Sequence, residues 1–165
     1  MRNLKKVSLF SPEGLGNKNV LTEEEMRAII GGYVDGYCYF YCMEFLSGRY
    51  ESGATDINGF MASYASTYGF SDLINGGISD MSRIQNFTGS NFGTSTVNIS
   101  NMNAFLNGST CILAGIKVNG NDHAVVITRY DSTSNKYYYY DPALSQETWK
   151  YASDFTFALG IIGSK

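Results

Sequence analysis

Three cysteines and one histidine occur in the 165 residues, and these four side chains bound the chemistry open to the chain. A thiol attacks as its thiolate, which needs a base beside it and a third group to hold that base in the useful tautomer. His123 is the sole imidazole. It stands where the Gly- and Asn-rich segment NGND enters an apolar run, a position that projects a polar side chain from a rigid edge. Asp141 follows eighteen residues later at the end of the next strand-like run, and Pro142 behind it offers no N–H for further pairing. If those two runs form one hairpin, imidazole and carboxylate lie at the same end of a sheet, within hydrogen-bonding reach. Cys38 opens an apolar segment behind Asp35 and Gly36, which puts it in or near the first turn of a helix. Unpaired N–H groups and the helix dipole favour a thiolate there. Cys42 falls one turn later on the same face, and Cys111 opens a strand; both read as small buried hydrophobes. Cys38 as nucleophile, His123 as base and Asp141 as orienter therefore form the candidate constellation.

Each of these residues also has a plainer role. A lone His is often a satisfied structural residue, Asp before Pro is ordinary turn chemistry, and a buried free thiol packs as a small apolar group. Cys38, Cys42, Cys111 and His123 together offer four zinc donors, with an acceptable spacing between the first two. Cys111, however, sits inside an apolar strand rather than in a ligand knuckle, so no metal and no cofactor is expected. The tyrosine run 137–140 reads as a strand whose alternate rings pack on both faces, ahead of a sugar- or peptide-binding platform.

The elements that must position these groups follow from periodicity. CYFYCMEFL, residues 38–46, is apolar apart from Glu44 and predicts a buried helix. Ile57, Phe60, Met61, Tyr64, Ala65 and Tyr68 recur at helical spacing, with Gly69 as terminator. Residues 71–95, rich in Gly, Ser, Asn and Asp, read as irregular loops with one short element at 84–87. A third helix is expected over 98–106, ended by Gly108. Strands are expected at 111–118, 123–130 and 136–142, where β-branched and aromatic residues dominate, with a last one around 159–162. Helices first and antiparallel hairpins afterwards make an α+β domain.

The N-terminus has a different character. Thr22 followed three residues later by Glu25 has the form of a capping box, Leu21, Met26, Ile29 and Ile30 share one side of the helix it would start, and Gly31 and Gly32 stop it. Residues 21–32, LTEEEMRAIIGG, resemble the double-glycine leaders of exported bacterial peptides. That resemblance implies cleavage after Gly32 by the peptidase of an ABC exporter, a 1–32 leader ahead of a 33–165 domain, and a mature protein outside the cell or in the periplasm. A Sec-type signal fits poorly, because VSLF is interrupted by Ser11 and Pro12.

The body shows a second resemblance. CYFYCMEFLSG, HAVVITRYD and YYYYDP, in that order, resemble the peptidase domain with which bacteriocin-exporting ABC transporters cut double-glycine leaders, a member of the papain-like cysteine peptidase superfamily. It covers about 33–162 and implies a papain-like fold, a peptide or protein substrate, and Cys38, His123 and Asp141 as the triad. The family also carries a Gln shortly before the nucleophile to donate to the oxyanion, and no Gln precedes Cys38 in this chain. Loss of one such donor costs on the order of a hundred- to a thousandfold in a serine peptidase. An exported cysteine peptidase or amidase is thus one expectation. A catalytically degenerate exported toxin, signal or binding protein is the other.

Composition excludes other classes. A net charge of −3 and scattered Lys and Arg leave no basic face for nucleic acid. No run approaches the roughly 18–20 apolar residues of a membrane-spanning helix.

Overall fold

The structure, a computed structural model, describes residues 37–51 and 53–165. The expected leader, with Gly31 and Gly32, lies outside them. In chain order the elements are α1 (Cys38–Tyr50), α2 (Ile57–Tyr68), α3 (Ser71–Ile74), α4 (Met81–Asn91), β1 (Phe92–Thr96), a 3-10 turn (Ile99–Ala104), β2 (Cys111–Val118), β3 (Asn121–Asp131), β4 (Lys136–Asp141), β5 (Gln146–Lys150), a short 3-10 turn (Ala152–Asp154) and β6 (Phe155–Ser164). The domain is α+β, with helices packed on a six-stranded antiparallel sheet of order β1-β6-β2-β3-β4-β5.

α1 is buried almost all round, from Cys38 through Met43, which is why its sequence shows no polar stripe. Its one charged interior residue, Glu44, is explained by α2: the Ile57 N–H donates to Glu44 Oε1 at 3.3 Å, meeting one of the unpaired donors at that helix start. Asp56 caps the same end by accepting from the Gly59 N–H at 2.7 Å. Leu46, Phe40 and Met43 of α1 pack with Leu113, Val126 and Ile161 of the sheet. Residues of opposite parity, among them Ile112, Val125, Ile127, Tyr137 and Tyr139, form a second cluster on the other face, closed by Met102 and Phe105. Both faces of the sheet are therefore covered.

Turn chemistry sets the register that matters for His123. Val118 pairs with Asn121, leaving a two-residue loop in which Asn119 has φ 51° and Gly120 φ 84°. Two successive positive φ values in an Asn-Gly loop match the twist of an antiparallel hairpin. The pairing then runs Ile116 opposite His123 and Ile112 opposite Ile127. At the far end of β3, Asp131 accepts from the Thr133 N–H at 2.9 Å and the Ser134 hydroxyl at 2.6 Å, closing the turn into β4.

Four expectations need correction. Residues 71–95 contain α3, an eleven-residue α4 and β1 rather than loops with one short element. α4 is started by Asp80, which accepts from the Ser82 N–H at 2.8 Å, and it buries only Phe87 and Thr88, so its apolar signal is weak. The helix expected over 98–106 is a 3-10 segment broken at Asn101 (φ −137°, ψ 31°). β5 was absent from the expected strands because four of its five residues are exposed and show no alternation. β6 runs from 155 to 164, longer than its apolar centre.

Among the described residues no helix is long and apolar enough to cross a membrane. Phe40 is fully buried and its ring meets those of Tyr64 and Phe87 at 5.4 and 6.5 Å. Phe40→Ala is expected to destabilise the domain by about 3–5 kcal/mol, seen as a lower urea midpoint at unchanged m-value.

Candidate active site

Cys38 is the first residue of α1, and Tyr37, at the N-cap position, makes no side-chain cap bond. The N–H groups of a helix's first turn have no partner within the helix and point toward its N-terminal end. The Cys38 sulfur accepts the Ala124 N–H at 3.3 Å. This contact exists because β3 and β4 begin pairing only at Val126 and Tyr140. Upstream of that point β3 keeps β2 on one side, and the thiol takes the place a further β4 residue would hold on the other.

His123 and Asp141 meet by strand alternation. His123 shares its sheet face with Val125 and Ile127, and Asp141 shares that same face with Tyr137 and Tyr139. The bond between His123 Nε2 and Asp141 Oδ2 is 2.7 Å, and the two residues are 3% and 5% exposed. The Asp141 backbone carbonyl separately accepts the Leu144 N–H at 3.2 Å, so main chain closes the β4–β5 turn and the carboxylate is left for the imidazole. A carboxylate oxygen accepts, so the proton in this bond lies on Nε2 and Nδ1 is the nitrogen left to give or take a second proton.

Nδ1 is buried and makes no aligned hydrogen bond. The Cys38 sulfur lies near the ring, on the N–H of the following residue, Ala124. Burial alone would pull the imidazole down, but the Asp141 bond and the neighbouring Cys38 outweigh it and hold the ring up at about 10. An imidazolium flanked by a carboxylate and a sulfur is the stable form at neutral pH. Cys42 and Cys111 differ in kind. Burial, then the nearby Cys38 and Asp141, pushes Cys42 well above the usual thiol range. Burial also pushes Cys111 up, against the lowering effect of Tyr50 and Arg49.

The structure thus pairs His123 with Asp141 and sets the Cys38 sulfur on the Ala124 N–H, one residue from His123, with Cys38 and His123 lining one cleft that Cys111 does not reach. Among the described residues no three His, Cys, Asp or Glu side chains gather as a metal site.

A cleft of about 730 Å³ opens onto Cys38 and His123. Asn75, Ile78 and Met81 line one wall, and Gly115, Thr156 and Phe157 the other. The first wall comes from the stretch that the sequence suggested was irregular. It is fixed from beneath: the Tyr64 hydroxyl donates to Asp72, which also pairs with Arg83 at 2.9 Å, and the Tyr37 hydroxyl donates to the Leu73 carbonyl at 3.0 Å. Tyr37 precedes the thiol directly, so one residue ties the cleft wall to the start of α1. The Asp80 N-cap was the one sequence signal that could have placed this wall.

No protein-family model matches this chain, and no curated protein matches it at a significant level.

The raised His123 value carries a definite sign for stability. A group whose folded pKa exceeds its unfolded one contributes stability fully below the unfolded value, near 6.5, and loses it as pH rises through the folded value. The domain is therefore expected to lose stability between about pH 6.5 and 10, and Asp141→Asn to flatten that loss. Urea midpoints at pH 6, 8 and 10 for both proteins check this; a wild-type midpoint unchanged across that window would contradict it.

Proposed function

We propose that residues 33–165 form a papain-like cysteine hydrolase that cleaves peptide or amide bonds, with Cys38 as nucleophile, His123 as base and acid, and Asp141 as the group that orients the base. The carrying observation is the buried 2.7 Å bond from His123 Nε2 to Asp141 Oδ2, on an imidazole that lines the same cleft as Cys38. The order of a thiol at a helix start, then an imidazole and a carboxylate on neighbouring antiparallel strands, supports the papain-like assignment.

The reaction begins with the proton on Nδ1 and negative charge on sulfur. Sulfur adds to the carbonyl carbon, forming the C–S bond while the C=O pair moves onto oxygen. N–H groups of the first turn of α1, the Cys38 N–H among them, receive that oxyanion. As the carbonyl re-forms, the C–N bond breaks and the leaving amine takes the Nδ1 proton. Water then attacks the thioester, giving a proton to Nδ1 as its oxygen bonds to carbon, and the C–S bond breaks to return the thiolate. Without a Gln ahead of Cys38, oxyanion stabilisation falls to these backbone donors. A slow enzyme follows.

The substrate is a peptide or protein lying in the cleft. The first 32 residues serve as a double-glycine-type leader, cut after Gly32 by the peptidase of an ABC exporter that delivers the domain to the periplasm or the exterior. The missing Gln favours a second reading, in which the same scaffold is exported as a toxin, signal or binding protein without turnover.

Iodoacetamide at neutral pH is expected to modify Cys38 at least about tenfold faster than Cys42 or Cys111, because only a thiolate reacts and the latter two are held as thiols. Peptide mapping after brief treatment reads this directly; equal, slow labelling of all three only on denaturation would sink the hydrolase reading. Cys38→Ala is expected to remove hydrolysis, by about a thousandfold or more, with folding intact. Full biological effect in that variant selects the non-catalytic alternative. Secreted protein is expected to begin at Tyr33, as read by N-terminal sequencing, and material retaining residues 1–32 would overturn the leader assignment.

A further inference from the structure

Strand register sets the floor of the cleft. Ala124 on β3 pairs with Gly115 on β2, and Gly115 pairs in turn with Phe157 on β6. Direct cross-strand partners share a sheet face, so Ala124, Gly115 and Phe157 form one row across three strands, and all three line the cleft. The row starts at the thiol, since the Ala124 N–H donates to the Cys38 sulfur at 3.3 Å. Two strand spacings, roughly 10 Å, separate its ends. The first two members have little or no side chain, and the third carries a phenyl ring. Gly115 is held to glycine by its neighbours: a Cβ there would meet Thr156 Oγ1 at 2.9 Å and Phe157 Cβ at 3.4 Å.

The walls beside this trough are apolar. Ile78 and Phe157 are half-buried and rest on the core cluster beneath α1, which fixes them in place. Met81, the first residue of α4, is 42% exposed and lines the same cleft. A large apolar side chain left open in a concavity marks a contact surface more than one scattered on a convex face does, and the unbranched thioether adapts to the shape it meets. The helix start that carries it is anchored without it, by the Asp80 cap and by the Arg83 pair with Asp72. Charge points the same way. Among the described residues lining the cleft none is Lys or Arg, and the two carboxylates, Asp72 and Asp122, are met by Arg83 and Lys117 at 2.9 Å each. The His123 ring is already taken by Asp141. An acidic side chain entering the trough would lose water and find no basic partner on its walls.

We propose that this trough is a specificity subsite: the substrate is a peptide with a large apolar side chain within two residues of the scissile carbonyl, that side chain lies over Gly115 against Phe157, Ile78 and Met81, and an acidic one is rejected. The inference rests on the hydrolase reading and deepens it by naming the substrate class. An extended chain advances about 3.3 Å per residue, so a side chain one or two residues from a carbonyl held at the sulfur falls within the length of the row. Met81 is the specificity-determining residue, being the exposed member of the wall on a helix start that other residues hold.

Dipeptidyl chloromethyl ketones test this on the full chain without turnover, because the sulfur displaces chloride and a C–S bond replaces the C–Cl bond. The probes are acetyl-X-Gly and acetyl-Gly-X reagents with Leu, Gly or Glu as X, their rates at Cys38 read by peptide mapping and taken relative to iodoacetamide in the same protein. In at least one of the two positions Leu is expected to react about tenfold or more faster than Gly, and Glu more slowly than Gly. Met81→Ala is expected to reduce the Leu preference several-fold. Met81→Lys is expected to reduce it further and to bring the Glu reagent above the Gly one, an exchange that a merely structural role would not produce. Equal relative rates for Leu, Gly and Glu at both positions overturn the proposal, and so does a Leu preference that survives both Met81 variants. Failure of the hydrolase reading looks different: Cys38 in the wild-type chain then resists iodoacetamide itself, whereas a reactive but unselective Cys38 removes the subsite alone.

Discussion

The Ala124 N–H, donated to a sulfur and not to a neighbouring strand, is the constraint on which the site depends. A backbone donor in a buried sheet must find a partner. Here the partner cannot be β4, since its pairing with β3 begins at Val126 and Tyr140. A helix start fills the gap, and the first residue of α1 presents Cys38 to the orphaned donor at 3.3 Å. One stretch of missing ladder thus fixes the height of α1 against the sheet, brings the thiol beside the residue before Ala124, and opens the cleft. A longer β4 would pair Ala124 and leave the sulfur without its seat.

The second requirement is that a charged pair survive in a nearly dry place. His123 and Asp141 are both almost wholly buried, and burial penalises each charge. Their 2.7 Å bond offsets that penalty only when both partners are present and aligned. Alignment comes from unrelated local devices: the Asn119-Gly120 loop sets the register of β3, and the Leu144 N–H on the Asp141 carbonyl closes the next turn without using the carboxylate. Removing one partner of such a pair costs about 3–5 kcal/mol in other proteins, because the survivor is left uncompensated. A purely structural pair would be cheaper to replace by hydrocarbon.

Much of this arrangement was legible in the sequence, and the physical reason is the same in each case. Cys38, His123 and Asp141 stand at element boundaries, and boundaries are marked by strong local signals: a polar pair before an apolar helix, an Asn-Gly turn, a Pro that ends a ladder. The buried α1 and the strands β2, β3 and β4 were legible because their apolar content is high. The cleft wall was not, since α4 buries just Phe87 and Thr88 and its sequence is dominated by residues typical of turns. β5 was missed for the opposite reason to a core strand: it is held by pairing to β4 and by cross-strand contacts such as Lys136 over the Trp149 ring, with nothing to bury. The Ala124 contact leaves no trace in sequence at all, because any residue but proline carries that N–H.

Two thiols one helical turn apart meet opposite conditions, and the contrast follows from where the turn begins. Cys38 has the start of the helix, a backbone donor from β3 and the His123 ring as neighbours. Cys42 sits inside the helix, where N–H groups are already paired, and burial first, then the nearby Cys38 and Asp141, oppose a charge on it. In the proposed reading the same side chain is thereby a nucleophile at one position and a neutral thiol at the next, with no difference in residue type. A chain that needs one reactive cysteine among three can secure it by helix position alone, and the absence of an oxyanion Gln then becomes a question of rate, set by how many first-turn N–H groups remain for the substrate once the sulfur has moved onto carbon.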